Sequence, residues 1–192
     1  MARKQTKRPP EFARLLKMKE PSLQRLYLVA LITKYLPGPV RPIVVGGLAV
    51  EFYTGGAYTT GDIDLLYPDR RALDVLLGSW GFVRQGRLWS LPEAGLWVEA
   101  PGEALGPDED PSRVVRVRTG RLSAEMIGPE DLVIDRLNAY VHWKSEEDGL
   151  WAERMMAEHE DAIDWAYLRR RAGKEGTAQA LARLRRRLRS AR

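Results

Sequence analysis

Apolar and polar positions alternate in two rhythms along this chain. In "PSLQRLYLVALITKYLPG", Leu26, Leu28, Leu31, Ile32 and Tyr35 give a helical apolar face. Ser22 after Pro21 can cap that helix, and Pro37 and Gly38 stop it. "RPIVVGG" is a short β-branched run, hence a strand; its glycines end it, and "LAVEFY" reads as the first turns of a helix. "GGAYTTG" is a turn-rich break, and "DIDLLYP" is a second strand closed by Pro68. "DRRALDVLLGSWG" predicts a helix capped by Asp69 and ended near Gly78 or Gly81. "FVRQGRLWSLP" and "GLWVEAPGE" read as strands, and "RVVRVRTGRLSAEMIG" holds one or two more.

Helical periodicity then takes over. "PEDLVIDRLNAYVHW" opens with Pro129 and acidic residues in its first turn, and Val133, Leu137, Tyr140 and Val141 share a face. "EEDGLWAERMMAEHEDAIDWAYLRRRA" reads as one long amphipathic helix, on which Asp161 and Asp164 are surface neighbours. "TAQALARLRRRLRSAR" reads as a final basic helix. The expected fold class is α/β (α+β), a small mixed sheet with flanking helices followed by a helical C-terminal part. The expected divisions are a flexible basic arm over 1–20, the α/β core over 21–128, and a helical region with a basic tail over 129–192.

Composition narrows the class. The 192 residues are 44% hydrophobic and 30% charged, which excludes a disordered chain. No apolar run approaches the ~18 residues that span a bilayer, and the charged start has no apolar stretch behind it, so no membrane partner and a cytoplasmic location are expected. With no cysteine, disulfides and thiolate metal sites are excluded. The net charge of +5 is uneven: the first 19 residues carry seven Lys or Arg against one Glu, and the stretch from Arg169 to the end carries ten against one. Such ends are either solvated termini or a surface for polyanions such as RNA.

The chemistry concentrates in "IVVGGLAVEFYTGGAYTTGDIDLLY". On a strand, Asp62 and Asp64 project together while Ile63 and Leu65 pack on the other side. Two carboxylates roughly 6–7 Å apart repel each other and are poor strand formers. They are either solvated at a strand edge or end, or offset by a cation such as Mg²⁺, which takes oxygen ligands from one or two carboxylates plus substrate phosphates. Gly46 and Gly47 end the preceding strand, where backbone can approach a ligand closely and a helix N-terminus suits a phosphate, or they simply make a tight strand-to-helix turn.

"VVGGLAVEFY…TTGDIDLLY" resembles the GG-x(n)-D-h-D signature of the nucleotidyltransferase superfamily, with its polymerase-β-like fold, and within it the small prokaryotic members related to AbiEii-type toxins, aminoglycoside nucleotidyltransferases and minimal nucleotidyltransferases. Gly46, Gly47 and Ala49 match "GGxA", and Thr60, Asp62 and Asp64 match "T-x-D-h-D". "GPEDLVIDRLNAY" resembles "PEDLIxxKLxA" through Pro129, Glu130, Asp131 and Leu132, with Arg136 where Lys is usual. The resemblance spans roughly 40 to 165.

It implies a metal-dependent enzyme that moves a nucleoside monophosphate from an NTP to a hydroxyl on RNA, protein or a small molecule, with Mg²⁺ or Mn²⁺ held by Asp62, Asp64 and a third carboxylate. Glu99 in "GLWVEAPGE" is the candidate third acid, a departure from the usual aspartate; Glu103 is the weaker choice. Gly46, Gly47, Thr60, Arg136 and Lys144 are the implied nucleotide-binding residues, the last two being otherwise ordinary solvated helix charges. Tyr58 stands where relatives often carry an arginine, for which Arg70, Arg71, Arg84 or Arg87 can substitute. The alternative is a catalytically inactive module with this fold, acting as a nucleotide binder or as half of a toxin–antitoxin-like pair with a cognate partner protein. His142 and His159 lack metal-ligand spacing and read as ordinary helix residues, and the tryptophans mostly fit core or interface faces, with base stacking the alternative for Trp89 or Trp97.

Overall fold

Residues 62–66 alternate in burial, which answers why aspartates sit in so apolar a segment. Ile63 and Leu65 are fully covered, whereas Asp62 and Asp64 are partly open on the other side. Each covered aliphatic side chain contributes roughly 1.5–3 kcal/mol. A one-residue slip would exchange both of them with aspartates, so the register follows from this pair.

The computed structural model describes residues 7–190. Its strands are β1 (Ile43–Val45), β2 (Asp62–Leu66), β3 (Val83–Gln85), β4 (Leu88–Leu91), β5 (Leu96–Gly102), β6 (Val115–Thr119) and β7 (Leu122–Met126). They form one mixed sheet in the order β3-β4-β5-β2-β1-β7-β6. β2 runs parallel to β5 and antiparallel to β1, and β1 runs parallel to β7. The helices among the described residues are α1 (Phe12–Leu15), α2 (Pro21–Tyr35), α3 (Gly46–Tyr53), α4 (Arg70–Trp80), α5 (Pro129–His142), α6 (Glu146–Glu158), α7 (Trp165–Lys174) and α8 (Ala178–Ser190). The fold is mixed α/β with a helical C-terminal part, as the periodicities predict. Among the described residues no helix is long and apolar enough to cross a membrane.

Several local expectations need correction. The part of the basic arm within the described residues is packed rather than loose: Phe12 and Leu15 are buried, Phe12 sits edge-on to Trp80, and Arg8 donates to the Trp80 carbonyl. Residues 1–6 lie outside the described residues. The cap of α2 is Glu20, whose carboxylate accepts from the Ser22 and Leu23 N–H groups; Ser22 instead directs its hydroxyl to Glu51. A charged cap serves the helix dipole better than a hydroxyl and frees Ser22 for that bond. The expected single helix over "EEDGLWAERMMAEHEDAIDWAYLRRRA" is two. Asp164 accepts from the Ala166 and Tyr167 N–H groups, so it caps α7 and breaks the run; Asp161 lies in the intervening turn, not beside it on a helix face.

Buried charges tie the layers together. Arg25 of α2 forms a forked pair with Glu51 of α3, at 2.6 and 2.9 Å, with side chains 9% and 4% exposed. Asp131 of α5 accepts from both Tyr167 and Arg171 of α7. Both histidines serve structure: the His142 ring meets the Glu175 carbonyl and the His159 ring the Tyr53 carbonyl. Removing one member of a buried pair strands the other's charge. Glu51→Ala is therefore expected to lower unfolding stability by about 3–5 kcal/mol, and Arg25→Met with Glu51→Leu to lower it much less. Denaturant melts of the two variants check this; equal losses would contradict it.

Candidate active site

The candidate carboxylates come together because of strand pairing. Asp64 lies directly across from Glu99, and Asp62 from Trp97, on the parallel β2–β5 pair. Cross-strand partners share a face, so Asp62, Asp64, Glu99 and Trp97 all project to the side opposite the core residues Ile63, Leu65 and Val98. Val45, the last residue of β1, is paired with Asp64, which brings the start of α3 beside that carboxylate.

Gly46 makes this approach feasible. Its φ of 62° is a conformation that a side chain disfavours, and a Cβ there would overlap the Asp64 carboxylate. A Cβ on Gly47 would stand 2.7 Å from the Thr60 hydroxyl. No side chain caps α3, and the Gly47 N–H interacts with the Asp64 carboxylate. Thr60 donates to Asp62 at 2.7 Å and its own N–H reaches Glu51 at 3.4 Å. A polar chain thus runs from Arg25 through Glu51 and Thr60 to Asp62.

Burial, followed by the charges of Asp62 and Glu99, pushes the Asp64 carboxyl up to about 6; the Gly47 N–H and the Arg136 guanidinium act against that rise. Arg136 is held by Asp135 at 2.5 Å and Asp148 at 2.7 Å. Lys144 lies exposed in the α5–α6 turn, in left-handed backbone, and forms no hydrogen bond or ion pair with the three carboxylates. Tyr58 packs edge-on against Trp151 at 5.0 Å between ring centres. Of the four substitute arginines, Arg87 reaches the site: from the β3–β4 turn it pairs with Glu99 at 3.1 Å. Arg70 bonds the Ala100 carbonyl and Arg84 pairs with Asp74. Trp89 is buried with its indole N–H on Asp74, whereas Trp97 is 38% exposed beside the acids.

Among the described residues, no group of three or more His, Asp or Glu side chains is gathered closely enough to hold a metal ion. The donor chemistry still suits a hard divalent cation, for which two carboxylates and substrate oxygens suffice. The elevation of Asp64, by burial first and then by its acidic neighbours, marks a spot where negative charge is only partly offset. No family model, curated protein or solved structure matches the chain.

Glu51 and Arg87 were not among the residues expected to position the acids. Glu51 shows in the sequence only as one charge in the otherwise apolar "LAVEFY", and Arg87 only as one of four arginines able to make a phosphate or acceptor contact, with no sign of its pairing to Glu99.

Two measurements follow. Because the folded Asp64 holds its proton to a higher pH than the usual 3.8, its ionisation weakens the fold as pH rises from about 4 through 6. Asp64→Asn should therefore raise stability at pH 7 in metal-free buffer, by about 1–2 kcal/mol after discounting for solvent screening, and leave it unchanged at pH 3.5; a gain of the same size at both pH values would contradict the assignment. Gly46→Ala should destabilise by about 1–3 kcal/mol, and Asp64→Gly should recover part of that loss in a double-mutant cycle; strict additivity would show that the two sites do not collide.

Proposed function

We propose that the protein is a metal-dependent nucleotidyltransferase, moving a nucleoside monophosphate from an NTP to a hydroxyl acceptor. The observation that carries this reading is the seating of the Asp64 carboxylate against the Gly46–Gly47 helix start, with Asp62 and Glu99 on the same face. A helix start suits a polyphosphate, and clustered carboxylates suit a divalent cation. Here the α3 start and the acids lie side by side, with the Gly47 N–H now on Asp64.

Asp62 and Asp64 would hold Mg²⁺ or Mn²⁺, with Glu99 as the third acid. The bound ion would neutralise the phosphates and lower the pKa of the acceptor hydroxyl. Thr60 fixes one Asp62 oxygen, leaving the other free for a ligand. The Gly46 and Gly47 backbone receives the phosphates, and Arg136, paired with Asp135 and Asp148, adds positive potential near Asp64. Arg87 holds Glu99 from the solvent side and would exchange it for a phosphate when substrate enters. Trp97 offers a partly open ring to the base.

The Glu99–Arg87 pair also favours a second reading, a nucleotide-binding module without turnover, because that pair competes with a metal for the third carboxylate. One experiment separates the two. Purified protein is incubated with α-phosphate-labelled NTPs, Mg²⁺, and total RNA or cell lysate. The enzyme reading expects label to move to an acceptor, and Asp62→Ala or Asp64→Ala to cut the rate on the order of a thousandfold. Nucleotide binding without transfer supports the silent module, and wild-type rates in both alanine variants would sink the proposed site.

A further inference from the structure

We propose that the groove between α7 and α8 binds single-stranded RNA. Its cavity of about 330 Å³ is lined by Trp165 and Arg169 from α7 and by Leu181, Arg185, Arg186 and Arg189 from α8, with no Asp or Glu in the lining. Trp165 and Arg169 are one helical turn apart on α7, as are Arg185 and Arg189 on α8, so one basic group from α7 and a basic stripe of α8 line the same space.

The arginines of α8 divide by what they face. Arg183 donates to the Tyr140 hydroxyl and Arg187 forms a forked pair with Glu153, both pointing toward the neighbouring helices α5 and α6. Arg169, Arg186 and Arg189, in contrast, make no side-chain hydrogen bond or ion pair among the described residues. Arg185 has the Trp165 ring as its partner, its guanidinium 4.2 Å from the ring centre. No acid in the groove lining plays the part that Glu153 plays for Arg187, so an external anion is the complement its charge calls for.

The flat Arg185–Trp165 stack decides which anion. A carboxylate-rich peptide has no aromatic ring to lay on it, whereas an unpaired base stacks on an aromatic ring or a guanidinium plane while its phosphates meet the flanking arginines. A double helix keeps its bases stacked inside and cannot use that surface. RNA is chosen over DNA because its loops, bulges and ends present unpaired bases of this kind, whereas DNA is ordinarily paired; the charge and stacking arguments do not depend on that choice.

The test is fluorescence anisotropy with a labelled 12-nucleotide mixed-sequence RNA strand, its DNA counterpart, an RNA duplex and a polyglutamate peptide. Wild type should bind the RNA strand best. Changing Arg169, Arg185, Arg186 and Arg189 together to Gln should lower the slope of log affinity against log salt by roughly three, at about 0.7 per phosphate contact. Trp165→Leu keeps apolar bulk and should weaken RNA binding on the order of tenfold while leaving polyglutamate binding unchanged. Arg116→Gln with Arg118→Gln, on the distant β6, is the control and should change little. Unchanged RNA affinity in the four-arginine variant, equal weakening by the β6 control, or equal or tighter binding of DNA, duplex or polyglutamate overturns the proposal. None of these readouts involves nucleotidyl transfer, so failure of the enzymatic reading would leave them interpretable.

Discussion

Asp64 occupies a position that a side chain on its neighbour would deny it. The carboxylate lies where a Cβ on Gly46 would be, and the positive φ of Gly46 turns the chain from β1 into α3 at that point. Two properties follow from this close approach: the start of α3 meets the acid instead of solvent, and the acid is desolvated, while strand pairing sets its charge near those of Asp62 and Glu99. The cost of ionising Asp64 in this setting is offset only in part by the Gly47 N–H and by Arg136. A site with a residual deficit of positive charge at a helix start is suited to a cation together with a polyanion, and that pairing is the basis of the functional proposal.

The second acid is placed by a different device. Arg25 and Glu51 form a buried pair between α2 and α3, and Glu51 reaches the N–H of Thr60, whose hydroxyl holds Asp62. Stability and site geometry are therefore coupled through one carboxylate. Buried ion pairs seldom add much to stability over an apolar replacement. In this protein the pair also fixes the loop that delivers Thr60, a role that Met and Leu at the same positions could not fill.

The sheet was readable in the sequence because its strands alternate cleanly. "DIDLL" places Ile63 and Leu65 inside and the aspartates outside, and "LWVE" puts Val98 inside and Glu99 outside. Those two patterns suffice to expect the acids on one face once the strands are neighbours, but neighbourhood itself was not legible: β2 and β5 are separated by a helix and a hairpin. Arg87 was one of four candidate arginines, but its pairing with Glu99 was hidden for the same reason, since a turn residue gives no sign of which strand it reaches. The helix break before Trp165 was hidden because "HEDAIDW" keeps an acceptable helical composition while Asp164 can cap as well as continue. The packed N-terminal segment was misjudged because its basic residues dominate the local composition, and two apolar side chains, Phe12 and Leu15, were enough to anchor it. Lys144 shows the limit of carrying a role by position: it falls in the turn after α5, away from hydrogen-bonding contact with the acids.

The most direct test of the central claim is electron paramagnetic resonance of Mn²⁺ titrated into the protein with a nonhydrolysable NTP analogue. Joint seating of cation and polyphosphate beside Asp64 predicts a bound-Mn²⁺ signal that strengthens with the analogue and disappears in Asp64→Asn. A signal that is indifferent to both the analogue and that substitution would contradict it.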